Sequence, residues 1–423
     1  VRSSDLRYRR IPGGLDNAVK QAEQRGLYDL FIVDSDCHQN EPFTLFAEYL
    51  PDKWKREYSG SKFLDFVMEF KKYAAEPDDF EDPVKVNLLK LSLDVVSRYP
   101  RNLQPLMAGR IRRPEVGAYE HFPIKEKPEK FPIREQKPEE IIDMFTRRMH
   151  DIGIKRSIIF PNTLLVLGNY PNFELETVIA NAYIDYMLDN FLDRYPEILS
   201  VIYAPANSPH KVAELIDRVG NEKGVAGVMM TPSRPGPLAG DESWNPIYEA
   251  AQQKGLPICF HSEANILPPF DRFKKFLPIH ALSFPWYLIL QLTSIVLEGV
   301  PVRFPNLNFV FMEGGITWIP WIMRRLDSEY LMRRSEAPTL TKLPSEYIKK
   351  FYFTQQPLEH TNDPRELEWV FRSFNAETQL LYASDYPHFD FDVPSVIYDL
   401  PFLSKDAKKL ILGENARKLF RIN

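Results

Sequence analysis

Along this chain, short apolar runs rich in β-branched and aromatic residues alternate with longer segments in which apolar positions recur every three or four residues. The runs are LFIVDSD, KRSIIFP, ILSVIYAP, AGVMMTP, PICFHSE, NFVFMEG, FYFTQQP and QLLYASDYP. Their shortness, their residue types and the turn-forming residues around them predict buried strands. Between them lie LETVIANAYIDYMLDNFLDRYP, HKVAELIDRVG, NPIYEAAQQKG and DPRELEWVFRSF, amphipathic at helical spacing, the second and third ending at a Gly suited to a helix C-cap. Strand and helix alternating eight times predict an α/β fold, a (β/α)8 TIM barrel. A doubly wound sheet is the alternative, but no Gly-rich phosphate fingerprint follows the first run.

The spacing is uneven. The first and second runs are separated by 118 residues, so a large insertion falls between the first two strands. Residues 1–423 then read as a single barrel domain, with 43–140 as an inserted lid or arm. Much of that arm is Pro-rich and charged, as in IKEKPEKFPIREQKPEE, which suits an extended, solvated segment.

Composition narrows the partners. With 53 basic and 58 acidic residues in 423, the balance of charge offers no reason to expect nucleic acid, and a small-molecule substrate is the simpler expectation. No apolar stretch follows the basic N-terminus as a signal core, and no later run reads as long enough to span a bilayer, so no membrane partner is expected. Only Cys37 and Cys259 are present. A disulfide framework is not expected, and a cytoplasmic setting fits.

In such a barrel the active site lies at the C-terminal ends of the strands. The first run ends in Asp36-Cys37-His38, the fifth in His261-Ser262-Glu263, the sixth in Glu313-Gly314-Gly315 and the eighth in Asp385-Tyr386-Pro387-His388. Alternation along a strand puts Asp36 and His38 on one face and turns Cys37 away. Asp-x-His alone is a weak signal, His261 alone reads as a core histidine, Asp385 as a turn cap and Glu313 as a helix N-terminal carboxylate. Falling together at four strand ends, they read as a metal site. Glu41 follows as the start of the arm. Trp286, Trp318 and Trp321 near the mouth are candidates for an aromatic pocket, with core packing as the plainer alternative. Arg325 and Asp327 read as a structural pair. Glu263, Glu359, His360 and His388 read as residues that support the ligands rather than bind the ion.

These motifs resemble the amidohydrolase superfamily, in particular the branch that includes the aminocarboxymuconate semialdehyde and γ-resorcylate decarboxylases. The resemblance rests on Asp36-Cys37-His38-Gln39-Asn40-Glu41-Pro42, RRMHDIGIKRSIIFPN, HALSFPW, LEGVPVRFPNLNFVFMEGGITWIPWIMRRLD, YASDYPHFD and GENARKLF, in that order from about residue 30 to the end. It implies Asp36, His38, His261 and Asp385 as metal ligands, with Asp385 also handling protons. It implies His280 of HALSFPW as a ligand or substrate contact. Three departures stand out: Asp-x-His replaces His-x-His, Glu313 replaces the sixth-strand His, and Met229 and Met230 stand where other members carry a bridging Lys or Glu.

Asp36, Asp385 and Glu313 bring three negative charges. One divalent ion leaves them anionic, whereas two with a bridging hydroxide are neutral, which burial favours. A two-metal centre bridged by Glu313 and completed by His280 therefore stands beside a one-metal centre. Zinc suits these ligands first, with iron or manganese as alternatives. The expected reaction is hydrolysis of an ester, thioester, lactone or amide by a metal-activated water, with Asp385, Glu313 and His280 as catalytic residues. A Glu at the sixth strand is a poorer proton donor than a His unless burial raises its pKa, and this ranks decarboxylation of an aromatic or unsaturated acid second. A non-catalytic barrel subunit is the third reading. A homo-oligomer is compatible with the resemblance, although no residue points to an interface.

Overall fold

The computed structural model describes residues 14–39, 41, 47–59, 137–169, 172–234, 236–263, 270–273, 276–359, 361, 363–386, 388 and 391–423. The eight apolar runs form strands β1 (Ile32–Gln39), β2 (Ile154–Pro161), β3 (Ile198–Tyr203), β4 (Val225–Met230), β5 (Ile258–His261), β6 (Phe309–Met312), β7 (Tyr352–Thr354) and β8 (Leu380–Leu381). They pair in parallel in chain order from β1 to β8. Ser35 N donates to Tyr382 O at 2.9 Å, Asp385 N to Asp36 O at 2.7 Å and His38 N to Tyr386 O at 2.7 Å, so the last segment pairs with the first. The sheet is thereby rolled into a nearly closed barrel, as the alternation predicts.

Helices α1 (Phe173–Met187), α2 (Pro209–Val219), α3 (Asn245–Lys254), α4 (Phe276–Leu297), α5 (Ile319–Met332) and α6 (Pro364–Ser373) lie between successive strands from β2 onward. In α2 the buried residues are Val212, Leu215, Ile216 and Val219, the i, i+3, i+4, i+7 stripe of a helix lying on a sheet. The layer between strands and helices holds a ladder of rings: Phe260, Phe311 and Phe353 occupy paired positions on β5, β6 and β7, with centroids 5.6 and 5.7 Å apart. Burying each ring contributes about 1.5–3 kcal/mol, so this ladder is a strong tie among the strands that end in His261 and Glu313.

Two expectations need adjustment. Leu277–Leu297 in α4 is long and apolar enough, by length and composition, to cross a membrane, although no such run is expected from the sequence. Half of that stretch is buried inside the fold, and packing of Ile279, Leu288, Leu292, Ile295 and Val296 accounts for its apolar character. Arg325 and Asp327 do not pair with each other. Arg325 bonds Glu329 at 2.7 Å, while Asp327 accepts from Ser345 N at 2.8 Å. Most of the arm expected over 43–140 lies outside the described residues.

The C-terminal segment closes the barrel's base. Its turn Leu410–Glu414 carries Gly413 against the backbone of Phe31, where a Cβ would overlap the Phe31 carbonyl. We expect Gly413→Ala to lower stability by about 1–3 kcal/mol, as for other overpacked sites. Thermal unfolding checks this, and an unchanged Tm would show that the segment shifts freely off β1.

Candidate metal centre at the barrel mouth

Asp36, His38, His261, Glu313 and Asp385 face one cluster at the C-terminal mouth, which His280 does not join. Asp36 and His38 leave β1 on the same side, both buried, while the Cys37 thiol donates to Ile158 O at 3.3 Å. His261 ends β5 and places Nε2 at 3.0 Å from Asp36 Oδ1. Its Nδ1 lies 2.8 Å from Ser262 O, and because this carbonyl can only accept, Nδ1 donates and Nε2 is turned to Asp36. His38 Nε2 lies 3.5 Å from Asp36 Oδ1 and 3.3 Å from Asp385 Oδ1. Glu313 follows β6, with Oε2 at 3.5 Å from His261 Nδ1. Asp385 and Glu313 both have left-handed backbone, at φ 59° and 58°.

His388 enters the cluster as well. Its Nδ1 is 2.7 Å from Asp385 Oδ1 and 3.8 Å from Glu313 Oε1, and its ring stacks on that of His38 at 4.3 Å. The sequence reading gave it only a supporting part. Three further residues were missed: Asn162 after β2, whose Oδ1 is 3.1 Å from His388 Nε2; Gln356 after β7, whose amide donates to Asp385 Oδ2 at 2.9 Å; and Asp34. Asp34 sits beneath Asp36 and accepts from Ser384 N at 2.8 Å and Ser384 Oγ at 2.5 Å, tying β1 to the segment after β8. Only Asp34 carried a signal, since it alternates in phase with Asp36 and His38.

The residues around this core sort differently from expectation. His280 on α4 belongs to neither set of close ligand atoms among the described residues. It lines a cavity of about 240 Å³ with Phe284, Pro285, Glu313 and Pro357. Glu359 binds Ile316 N at 2.9 Å and Thr317 Oγ1 at 2.7 Å, which pins the turn after Glu313. Glu263 accepts from the Ser233 hydroxyl, Glu41 is buried, and Met229 and Met230 are buried in β4 with no ligand group to offer. His360 lies outside the described residues. None of the three tryptophans lines the cavity: Trp286 packs on Phe270, Trp318 on Phe353, and Trp321 is exposed.

Electrostatically the cluster sets three carboxylates against three imidazoles. Burial and the neighbouring imidazoles of His388 and His261 hold His38 well below the usual histidine range. Burial also pulls down His388, but Asp385 and Glu313 overcome it and lift the imidazole to about 10. Burial, with Asp385 adding repulsion, pushes the Glu313 carboxyl well above the usual range. Asp36 Oδ2 and His38 Nε2 are buried without a hydrogen-bond partner among the described residues. Orphaned acceptors of this kind, on Asp and His, are what a divalent ion satisfies, and the donor set fits one.

A parallel barrel with acidic and imidazole groups gathered at its C-terminal mouth defines a class of barrel hydrolases and lyases. The chain belongs to the amidohydrolase family, whose model matches residues 170–422. It is 26% identical over 199 residues to the 2-amino-3-carboxymuconate-6-semialdehyde decarboxylase of Dictyostelium discoideum, a match spanning 46% of this chain and 53%, about half, of that relative. Among solved structures it is similar to an amidohydrolase from Mycobacterium avium subsp. paratuberculosis (TM-score 0.65, 16% identity, 93% of this chain and 99% of the other). It is also similar to the 5-carboxyvanillate decarboxylase of Novosphingobium aromaticivorans in complex with manganese and 4-hydroxy-3-methoxy-5-nitrobenzoic acid (TM-score 0.60, 17% identity, 94% and 97%).

The curated relative overturns the expectation of hydrolysis, because it is named a decarboxylase. The expectation failed on Glu313. A Glu there is a poorer proton donor unless burial raises its pKa, and burial, with Asp385 adding repulsion, pushes this carboxyl well above the usual range.

A second polar group stands at the ends of β3 and β4. Glu176, buried in α1, accepts from Tyr203 Oη at 3.1 Å and Asn207 Nδ2 at 2.9 Å. Burial pushes its carboxyl up from 4.5 to about 7, against the pull of these hydrogen bonds and Arg234. Between these values the folded chain holds a proton that the unfolded chain has released. This contribution is therefore largest below pH 4.5 and is lost as pH rises to about 7. Glu176→Gln should remove that slope, which is on the order of 3 kcal/mol. Denaturant unfolding of both proteins at pH 5 and pH 8 checks this, and parallel curves would refute the shift.

Proposed function

We propose that the chain is a metal-dependent, non-oxidative decarboxylase of a small aromatic or unsaturated carboxylic acid. One observation carries the reading: Asp36, His38, His261 and Asp385 meet at the barrel mouth with buried, unsatisfied acceptor atoms, and Glu313 stands between them and the cavity. The activity of the curated relative, matched over about half its length, supports the same choice.

Asp36, His38, His261 and Asp385 would hold the ion; manganese, as in the vanillate enzyme, and zinc both suit mixed carboxylate and imidazole ligands. When bound, it supplies fixed positive charge against the electron density that builds up as the carboxylate departs. The chain's own groups do the rest. The cavity walls, with His280, Phe284 and Pro285 on one side and Pro357 on the other, orient a flat acid and exclude water. The bond from the carboxylate to its carbon breaks, carbon dioxide leaves, and the electron pair on that carbon takes up a proton. Glu313 gives this proton and regains it from water. Gln356 holds Asp385 Oδ2, which keeps that carboxylate turned toward His38 and His388.

Purified protein assayed for carbon dioxide release against hydroxybenzoates and related unsaturated acids tests this. Asp36→Ala and His261→Ala should lose both metal and activity. Glu313→Gln should keep its metal and lose about 10²–10⁴-fold in kcat. Metal-free protein, or metal-bound protein that releases no carbon dioxide from any acid of this class, would overturn the proposal.

A further inference from the structure

His388 stands outside the ligand set implied by the resemblance, yet its surroundings are those of a metal ligand. Its Nε2 lies 3.1 Å from Asn162 Oδ1. That oxygen only accepts, so Nε2 donates to it and Nδ1 is the nitrogen left to face the carboxylates. Nδ1 lies 2.7 Å from Asp385 Oδ1 and 3.8 Å from Glu313 Oε1. A proton bridges that gap when no metal is bound, and an ion would take the proton's place.

The distances suit an ion. Two atoms bound to one first-row metal at about 2.0–2.2 Å lie roughly 3 Å apart. Asp385 Oδ1 stands 2.7 Å from His388 Nδ1 and 3.3 Å from His38 Nε2, and ligand atoms of these three residues all lie within 4.8 Å of one another. A ligating His generally donates its other N–H to an oxygen that fixes the ring. His261 does so with Ser262 O at 2.8 Å, and His388 repeats the arrangement with Asn162. The two sets of close ligand atoms, Asp36–His38–His261 and His38–Asp385–His388, share His38.

We propose that His388 is a metal ligand through Nδ1, oriented by Asn162, and that it extends the site from the β1/β5 side to the loop after β8. This rests on the reading of the mouth as a metal centre. It also assigns Glu313 a place beside the ion, facing the cavity, with the imidazole supplied from the eighth strand end instead of the sixth.

Cobalt(II) titration of the full chain, followed by visible absorption and by competition with a chelator, tests the assignment without any activity assay. Wild type should bind with a d–d spectrum that changes in His388→Ala, where water replaces a nitrogen donor, and affinity should fall by more than tenfold. Asn162→Ala should lower affinity about 10–100-fold, and added imidazole should restore the wild-type spectrum to His388→Ala. Circular dichroism confirms that the variants fold; should His388→Ala not fold, His388→Gln is read in the same way. A folded His388 variant with wild-type affinity and spectrum would overturn the assignment while leaving the metal centre standing. Wild-type protein that takes up no cobalt would overturn both.

Discussion

Three carboxylates and three imidazoles face one another in a barrel mouth almost closed to water, and the arrangement around them follows from how that charge is balanced. Burying an uncompensated carboxylate costs several kcal/mol. Within this cluster the raised His388 and the raised Glu313 express one deficit, too little positive charge for the acceptors present, while burial and the neighbouring imidazoles depress His38. Protons relieve it in part, and a bound ion would relieve it where Asp36 Oδ2 and His38 Nε2 have no hydrogen-bond partner among the described residues.

Holding such a cluster requires a backbone that would not choose its own shape. Glu313 and Asp385 are both left-handed, at about 1–3 kcal/mol each for a residue with a Cβ. Each turn is fastened from a neighbouring strand end. Glu313 N donates to Thr354 Oγ1 at 3.1 Å, and the Glu359 carboxylate packs against Gly315, whose φ of 64° favours glycine. Asp385 is fastened by its amide to Asp36 O and by Gln356 to its carboxylate, with the Asp34–Ser384 bonds below. The strain is offset by hydrogen bonds that run across the barrel, so the ligand positions depend on closure of the sheet.

This explains what the sequence could and could not disclose. Strands were legible because β-branched runs between turn residues have few other uses, and Asp36, His38, His261, Glu313 and Asp385 were legible because each ends such a run. The fasteners were not. Asn162, Gln356 and Ser384 are ordinary loop residues until the barrel closes, and His388 joins the cluster only because the left-handed turn at Asp385 folds the chain back, a backbone choice that residue types do not reveal. The tryptophans failed as pocket residues for a related reason: proximity to a strand end does not fix which way a side chain points. The arm over 43–140 offered composition but no periodicity to read.

The exchange of His for Glu at the sixth strand end was first taken to favour hydrolysis, and the physical chemistry of the site runs the other way. Hydrolysis needs a base that takes a proton from water, whereas loss of carbon dioxide needs an acid that gives one to carbon. A carboxyl held neutral by burial and by a neighbouring carboxylate is an acid. Asp385 is held by Gln356 and set against two imidazoles, whereas Glu313 lies on the cavity side, where burial raises its carboxyl. On the proposed reading the two carboxyl groups take opposite roles because one faces the imidazoles and the other the cavity. That division, more than the identity of any single ligand, is why the proposed reaction is decarboxylation.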